Sequence, residues 1–228
     1  ATNGLYPNNN SFGMEIADAI DILEEAFQHK NITKIGIHNH MTSQNTTLGS
    51  WERTLKMLLG MGKQLSMQGV SIDYLDVGGG FPVDYGGGLP SFSSIVETVS
   101  YGVVALQNVF PSLQLILEPG RFLVGPAGIL VTSVIDVKGS IVTVDASVYN
   151  ASMDSIIVGL QLPVQTNATG KKVKQLIRGK TPDSLDVFRK EVLMPQVKKG
   201  DKILFLQAGA YTFSSDFLHL KKPEVKII

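Results

Sequence analysis

The chain has 228 residues, no cysteine, and twenty basic against twenty acidic side chains with no long run of either sign. That balance argues against nucleic acid or an anionic membrane as the main partner, and the missing thiols exclude disulfides, thiolate catalysis and cysteine-held metal within the chain. At 43% hydrophobic residues it can form one large domain or two modest ones, and no stretch approaches the ~18 apolar residues of a membrane span, so a soluble, cytoplasmic protein is expected.

Residues 15–29 place Ile16, Ala19, Ile20, Ile22, Leu23 and Phe27 on one stripe with acids opposite, which predicts an amphipathic helix. Residues 35–37 predict a short strand running into His38-Asn39-His40. A second helix is predicted over 50–69 through Trp51, Leu55, Leu58, Leu59, Met61 and Leu65, then a strand at 74–77, a helix at 94–109 and a strand at 113–117. Strands and helices alternating in this way predict a parallel sheet covered by helices on its outer face. Three such strands cannot close a barrel, which takes about eight, so an open sheet or part of a barrel is expected. Past Gly125 the pattern changes to β-branched runs at 129–135, 141–144, 173–177, 202–206 and 225–228, punctuated by Gly and Pro. The expected organisation is an α/β domain over 1–125 and a mainly antiparallel β-domain over 126–228. The chain begins without methionine and is expected to be part of a longer polypeptide.

Two motifs carry most of the chemistry: Leu75-Asp76-Val77-Gly78-Gly79-Gly80-Phe81-Pro82 and Glu118-Pro119-Gly120-Arg121. Each follows an apolar run and brings glycine to a strand end, where bare N–H groups can receive a phosphate. Glu118 suits the opposite end of such a ligand. A phosphate at one end and a basic ring nitrogen at the other would satisfy both motifs, and pyridoxal 5′-phosphate is such a molecule. Strand-end loops converge in parallel α/β folds, so residues 38–44, 78–82 and 118–121 are expected close together. His40 can then stack on the ring, Ser43 and Arg121 can contact the phosphate, and Glu118 can keep the ring nitrogen protonated. That protonation makes the ring an electron sink. In the second half, Asp183 is a candidate for a cationic amine and Tyr211 for the phosphate. Taken singly, these residues have plainer readings: a tight turn at the glycines, a loop serine, an Asp capping the turn at Pro182, a half-buried tyrosine. His38 and His40 share a strand face as a metal pair would, but only His29 and His219 remain as further histidines, so no metal is expected.

Taken together and in order, Gly36-Ile37-His38-Asn39-His40-Met41-Thr42-Ser43-Gln44, the two motifs above, the 179–186 stretch, Gly200-Asp201 and the 208–212 stretch resemble the fold-type III pyridoxal-phosphate decarboxylases. These are the ornithine, diaminopimelate and biosynthetic arginine decarboxylases, and the resemblance covers nearly the whole chain. It implies the C-terminal part of a TIM-like (β/α)8 barrel that binds the cofactor, followed by the β-domain, in a homodimer with active sites at the subunit interface. By motif position it implies His40 on the ring face and Glu118 at the pyridine nitrogen. Ser43, Gly78, Gly79, Gly80, Gly120, Arg121 and Tyr211 would complete the cofactor site, and Asp183 would bind the substrate's distal amine from the other subunit. His40, Glu118 and Asp183 are the implied catalytic set. The implied reaction is decarboxylation of a basic or diamino acid, of the kind used in polyamine or lysine biosynthesis, through a Schiff base to a lysine that in the family precedes the segment starting at Ala1. Two positions depart from the family: Thr42 replaces a glycine beside the phosphate, and Pro182 replaces a cysteine thought to steer protonation. Pro182 motivates a second expectation, a non-catalytic homologue with a binding or regulatory role.

Overall fold

The computed structural model describes residues 12–211 and 220–228. They fall into two compact units, one within Ala1–Pro82 and Gly88–Gly120, the other within Val83–Gly87 and Arg121–Ile228.

The first unit runs α1 (Ile16–Gln28), β1 (Gly36–His38), α2 (Leu48–Met67), β2 (Tyr74–Asp76), α3 (Phe92–Gln107) and β3 (Gln114–Ile116). The strands form a parallel sheet in chain order, with His38, Asp76 and Ile116 in register. Apolar residues three and four apart give α2 its buried stripe of Trp51, Leu55, Leu58, Met61 and Leu65. Ser91 caps α3 by accepting the Ser94 N–H at 3.1 Å. Glycines let α2 and α3 approach closely: a Cβ on Gly102 would stand 2.7 Å from Leu55, and one on Gly62 2.9 Å from Leu106. Leu65, Ile72, Leu75 and Leu106 are wholly buried, and the Trp51 and Phe81 rings meet at 5.0 Å.

The strands are shorter and less buried than their composition predicts. Each ladder spans three residues, and Leu115 and Ile116 are exposed. β3 is an edge strand of this sheet among the described residues, so its apolar character is not matched by burial.

The second unit follows α4 (Gly120–Val124) with β4 (Leu130–Lys138), β5 (Ile141–Val144), α5 (Val148–Ala151), α6 (Asp154–Ile157), β6 (Val164–Thr166), β7 (Lys172–Arg178), β8 (Val187–Pro195) and β9 (Lys202–Phe205). Its six strands are ordered β6-β9-β4-β5-β7-β8. Every neighbouring pair is antiparallel except β5 with β7. β4 serves both halves, pairing β9 through residues 130–133 and β5 through 134–138, with a register shift between Val134 and Asp136 where it changes partner. Val134, Val142, Val144, Ile177, Ile203 and Phe205 are buried between these strands, and Phe188 stacks on Phe205 at 4.6 Å.

Sequence pattern missed β6 and β8. The middle of β8 is Arg189-Lys190-Glu191, charges that interrupt any apolar alternation but suit an edge strand. Conversely, residues 225–228 form no strand: Val225, Ile227 and Ile228 are exposed, and β-branched composition without a partner strand does not make a ladder.

Candidate active site

In the first unit the loops after the three strands converge as expected. The Asn39 N–H donates to Asp76 O at 2.8 Å, Asn45 N–H to Gly80 O at 2.9 Å, and Glu118 N–H to Gly78 O at 2.9 Å. Between them the glycine run is tightly held. Gly78 and Gly80 have φ of 67° and 89°, a left-handed conformation that side chains resist. A Cβ on Gly78 would stand 3.0 Å from His40, one on Gly79 2.6 Å from the Glu118 carbonyl, and one on Gly80 would collide with the Thr42 carbonyl. The three glycines are therefore required by the close approach of the two flanking loops.

His40 is fixed by the same contact. Gly79 N–H donates to His40 Nδ1 at 3.1 Å, so in the neutral ring the proton lies on Nε2. His38 does the opposite: its Nδ1 faces Asp76 Oδ2 at 3.0 Å and must carry a proton to bond it. Each imidazole is thus directed through Nδ1 to a different partner. Asp76 also accepts the Gly78 N–H at 2.8 Å. Burial alone would raise the Asp76 carboxyl, but the hydrogen bonds from His38 and Gly78 outweigh it and hold the group below the usual carboxylate range. Donor atoms of His38, Asp76 and Glu118 all lie within 4.8 Å of one another. Beside the cradle, Thr42 Oγ1 is buried and has no hydrogen-bond partner among the described residues. Ser43 is half-buried next to it. Gly120 is exposed, donates its N–H to Glu118 O at 2.8 Å and has open space around its Cα, so packing does not require glycine there.

The second unit holds the other candidates in two groups. Arg121 is only 5% exposed. Its Nη2 donates to Asp154 Oδ2 at 2.7 Å and its Nη1 to Tyr85 Oη at 3.3 Å, and the Tyr211 ring lies 4.7 Å from the guanidinium. Burial opposes the charge, but the bonds to Tyr85 and Asp154 prevail and keep the guanidinium protonated. Asp154 was not legible as a partner, and Tyr211 is exposed rather than half-buried, with φ of 56°.

Asp183 is organised from below. Its Oδ2 accepts the Tyr149 hydroxyl at 2.6 Å and its Oδ1 the Leu185 N–H at 2.9 Å. The Leu185 and Tyr149 bonds hold its carboxyl below the usual range, while the bond to Asp183 pushes the Tyr149 phenol up to about 12. Asp186, wholly buried, supports the loop by accepting Val148 N–H at 2.9 Å, Thr181 N–H at 3.0 Å and the Thr181 hydroxyl at 2.7 Å. A side chain on Gly179 would collide with that carboxylate. Arg178 closes the loop through the carbonyls of Thr181 at 2.8 Å and Asp183 at 3.0 Å. The structure thus gathers His40, Gly78, Gly79, Gly80 and Glu118 in one unit, and in the other joins Arg121 to Tyr211 and ties Asp183 to Tyr149.

Residues 3–125 match the family model for the pyridoxal binding domain of pyridoxal-dependent decarboxylases. The chain belongs to this family. This decarboxylase-family chain is 29% identical over 209 residues to the lysine/ornithine decarboxylase of Selenomonas ruminantium, covering 90% of its own length and 52% of that relative. It is also 29% identical over 222 residues to the diaminopimelate decarboxylase of Aquifex aeolicus, covering 94% and 51%. The chain spans about half the length of the curated relatives it matches. Among solved structures, the Vibrio vulnificus lysine/ornithine decarboxylase complexed with cadaverine superposes with a TM-score of 0.79 at 26% identity, covering 94% of this chain and 60% of that one. The α/β fold is therefore shared with these decarboxylases. Among the described residues no helix is long and apolar enough to cross a membrane.

Proposed function

We propose that the chain provides the later strands of a (β/α)8 barrel and the β-domain of a pyridoxal-phosphate-dependent decarboxylase acting on a basic or diamino acid, with the cofactor-bearing lysine supplied by residues outside these 228. The observation that carries this is the glycine cradle pressed between His40 and Glu118, with the Thr42 hydroxyl, unpartnered among the described residues, beside it. Those features fit the cofactor: the Gly80 amide and a spare hydroxyl for a phosphate, the Gly78 and Gly79 N–H groups being taken by Asp76 and His40, an imidazole whose edge is already tied down, and a carboxylate for a basic nitrogen. When bound, pyridoxal phosphate supplies the electron sink for the electrons left on the α-carbon as carbon dioxide departs. Glu118 would hold a proton at the ring nitrogen. His40, fixed at Nδ1 by Gly79, would present its face to the ring, and Thr42, Ser43 and Gly120 would bind around the phosphate. Asp183, kept anionic by the Tyr149 hydroxyl and Leu185 N–H, would receive the substrate's distal ammonium group in a homodimer. The cadaverine bound by the Vibrio vulnificus relative, a diamine, agrees with that class of substrate.

The test uses the protein at its natural length, incubated with pyridoxal phosphate and a panel of lysine, ornithine, arginine and diaminopimelate. Borohydride is expected to fix the cofactor on the protein, and one or more of the amino acids to release carbon dioxide, with Glu118→Gln lowering the rate at least about a hundredfold. Failure to retain cofactor sinks the proposal. Cofactor retention without carbon dioxide favours the non-catalytic homologue, the reading that Pro182 motivates. In that case Pro182→Cys is the variant to assay next.

A further inference from the structure

We infer that Arg178 and Asp183 together form a site for a zwitterionic distal end, so that the substrate is a diamino dicarboxylic acid; this rests on the reading of Asp183 given above. Arg178 is the last residue of β7, and its register partner across β8 is Val187. The 179–186 loop joins the two and folds back over its own base. Arg178 Nη2 donates to the carbonyls of Thr181 at 2.8 Å and Asp183 at 3.0 Å. The guanidinium is therefore held against the backbone of the residue whose carboxylate would take an ammonium group.

Each of the two charged groups has bonding capacity left. Asp183 is exposed. Its Oδ2 accepts one bond from Tyr149 and its Oδ1 one from Leu185, and a carboxylate oxygen can accept two. A guanidinium has five N–H donors, and Nη2 carries two of them. Nη1 and Nε of Arg178 make no hydrogen bond among the described residues, which leaves three donors for a carboxylate. The Leu185 N–H and the Tyr149 hydroxyl do most to lower the Asp183 carboxyl, and the charge of Arg178 adds to them, so the guanidinium lies within electrostatic reach of it. Asp186, the other carboxylate of the loop, is wholly buried and committed to Val148 and Thr181.

A ligand end with a single ammonium group meets Asp183 as an attraction and Arg178 as a like charge. An end with both an ammonium and a carboxylate satisfies the two together. Discrimination of this kind comes as much from the repelled ligand as from the favoured one. Diaminopimelate is lysine with one further carboxylate on its distal carbon, so the two differ only in the group that Arg178 would hold.

In the natural-length protein loaded with pyridoxal phosphate, cofactor absorbance on rapid mixing reports the binding of each amino acid without requiring turnover. Diaminopimelate is expected to bind about tenfold or more tightly than lysine. Arg178→Gln keeps an N–H donor for the loop carbonyls and loses the charge. It is expected to weaken diaminopimelate about tenfold and to leave lysine unchanged or tighter, so that the ratio falls toward one. A residue that only supports the loop would weaken both ligands alike and leave the ratio where it was, which overturns the inference. So does a wild type that binds lysine as tightly as diaminopimelate, a result that needs no variant to fold and leaves the cofactor reading intact. A wild type that binds no pyridoxal phosphate overturns both.

Discussion

Three donors end on the buried carboxylate of Asp186: the N–H groups of Val148 and Thr181 and the Thr181 hydroxyl. Asp186→Ala leaves all three without their acceptor in a site closed to water, and is expected to cost about 3 kcal/mol of stability. Urea unfolding measures it, and Asp186→Asn, which keeps one oxygen acceptor, should cost less. Tyr149 gives a pH signature. Its phenol is raised to about 12 by Asp183, so the folded chain favours the neutral form. The stability this contributes is complete below the ordinary phenol value of about 10 and is lost as pH rises through about 12. Ultraviolet titration is expected to find a phenol ionising near 12 that is absent in Tyr149→Phe. Glu118, His40 and the glycines could be read from sequence because each lies directly after an apolar run. The partnerships of Arg121 with Asp154, 33 residues apart, and of Asp183 with Tyr149, 34 apart, could not. Both are made by the folding of the second unit, and no local pattern marks them.

Helices were more legible than strands. The stripes of α1, α2 and α3 repeat over several turns, so their positions follow from spacing and only their ends differ by about two residues. The strands of the first sheet were placed by apolar runs that continue past the ladder, and β8 was hidden because an edge strand tolerates charge. Spacing also cannot show how closely two helices pack. Gly102 on α3 faces Leu55 on α2 with no room for a methyl group, and the nearest atom is Leu55 Cβ, which cannot swing aside. Gly102→Ala gains about 1 kcal/mol of helix propensity but forces the helices apart, at a cost of about 1–3 kcal/mol. A net loss is expected, visible as a lower urea midpoint. Gly60, also on α2 but with nothing near its Cα, is the control: Gly60→Ala should stabilise.

The chain does not pass from one unit to the other once and stay there. Residues Val83–Gly87 belong to the second unit, although the segments on either side of them belong to the first. Within that second unit Val83 is buried, a Cβ on Gly125 would stand 3.1 Å from its side chain, and the Tyr85 hydroxyl accepts a bond from Arg121. A fragment of residues 121–228 therefore lacks a piece of its own core and one partner of a buried cation. It is expected to unfold at lower denaturant than the same unit in the intact chain, and addition of a peptide spanning 83–87 tethered to its N-terminus should recover part of the difference. Hydrogen exchange at the Arg121 and Gly125 amides would follow the recovery.

That excursion also bears on recombination between relatives. A crossover placed after Gly120 would graft a foreign β-unit onto this chain while leaving the native Val83 and Tyr85 to fill a space shaped by another lineage's residues. Functional hybrids should be found only when the short 83–87 segment travels with the grafted unit, so inheritance in this chain follows contact rather than linear order.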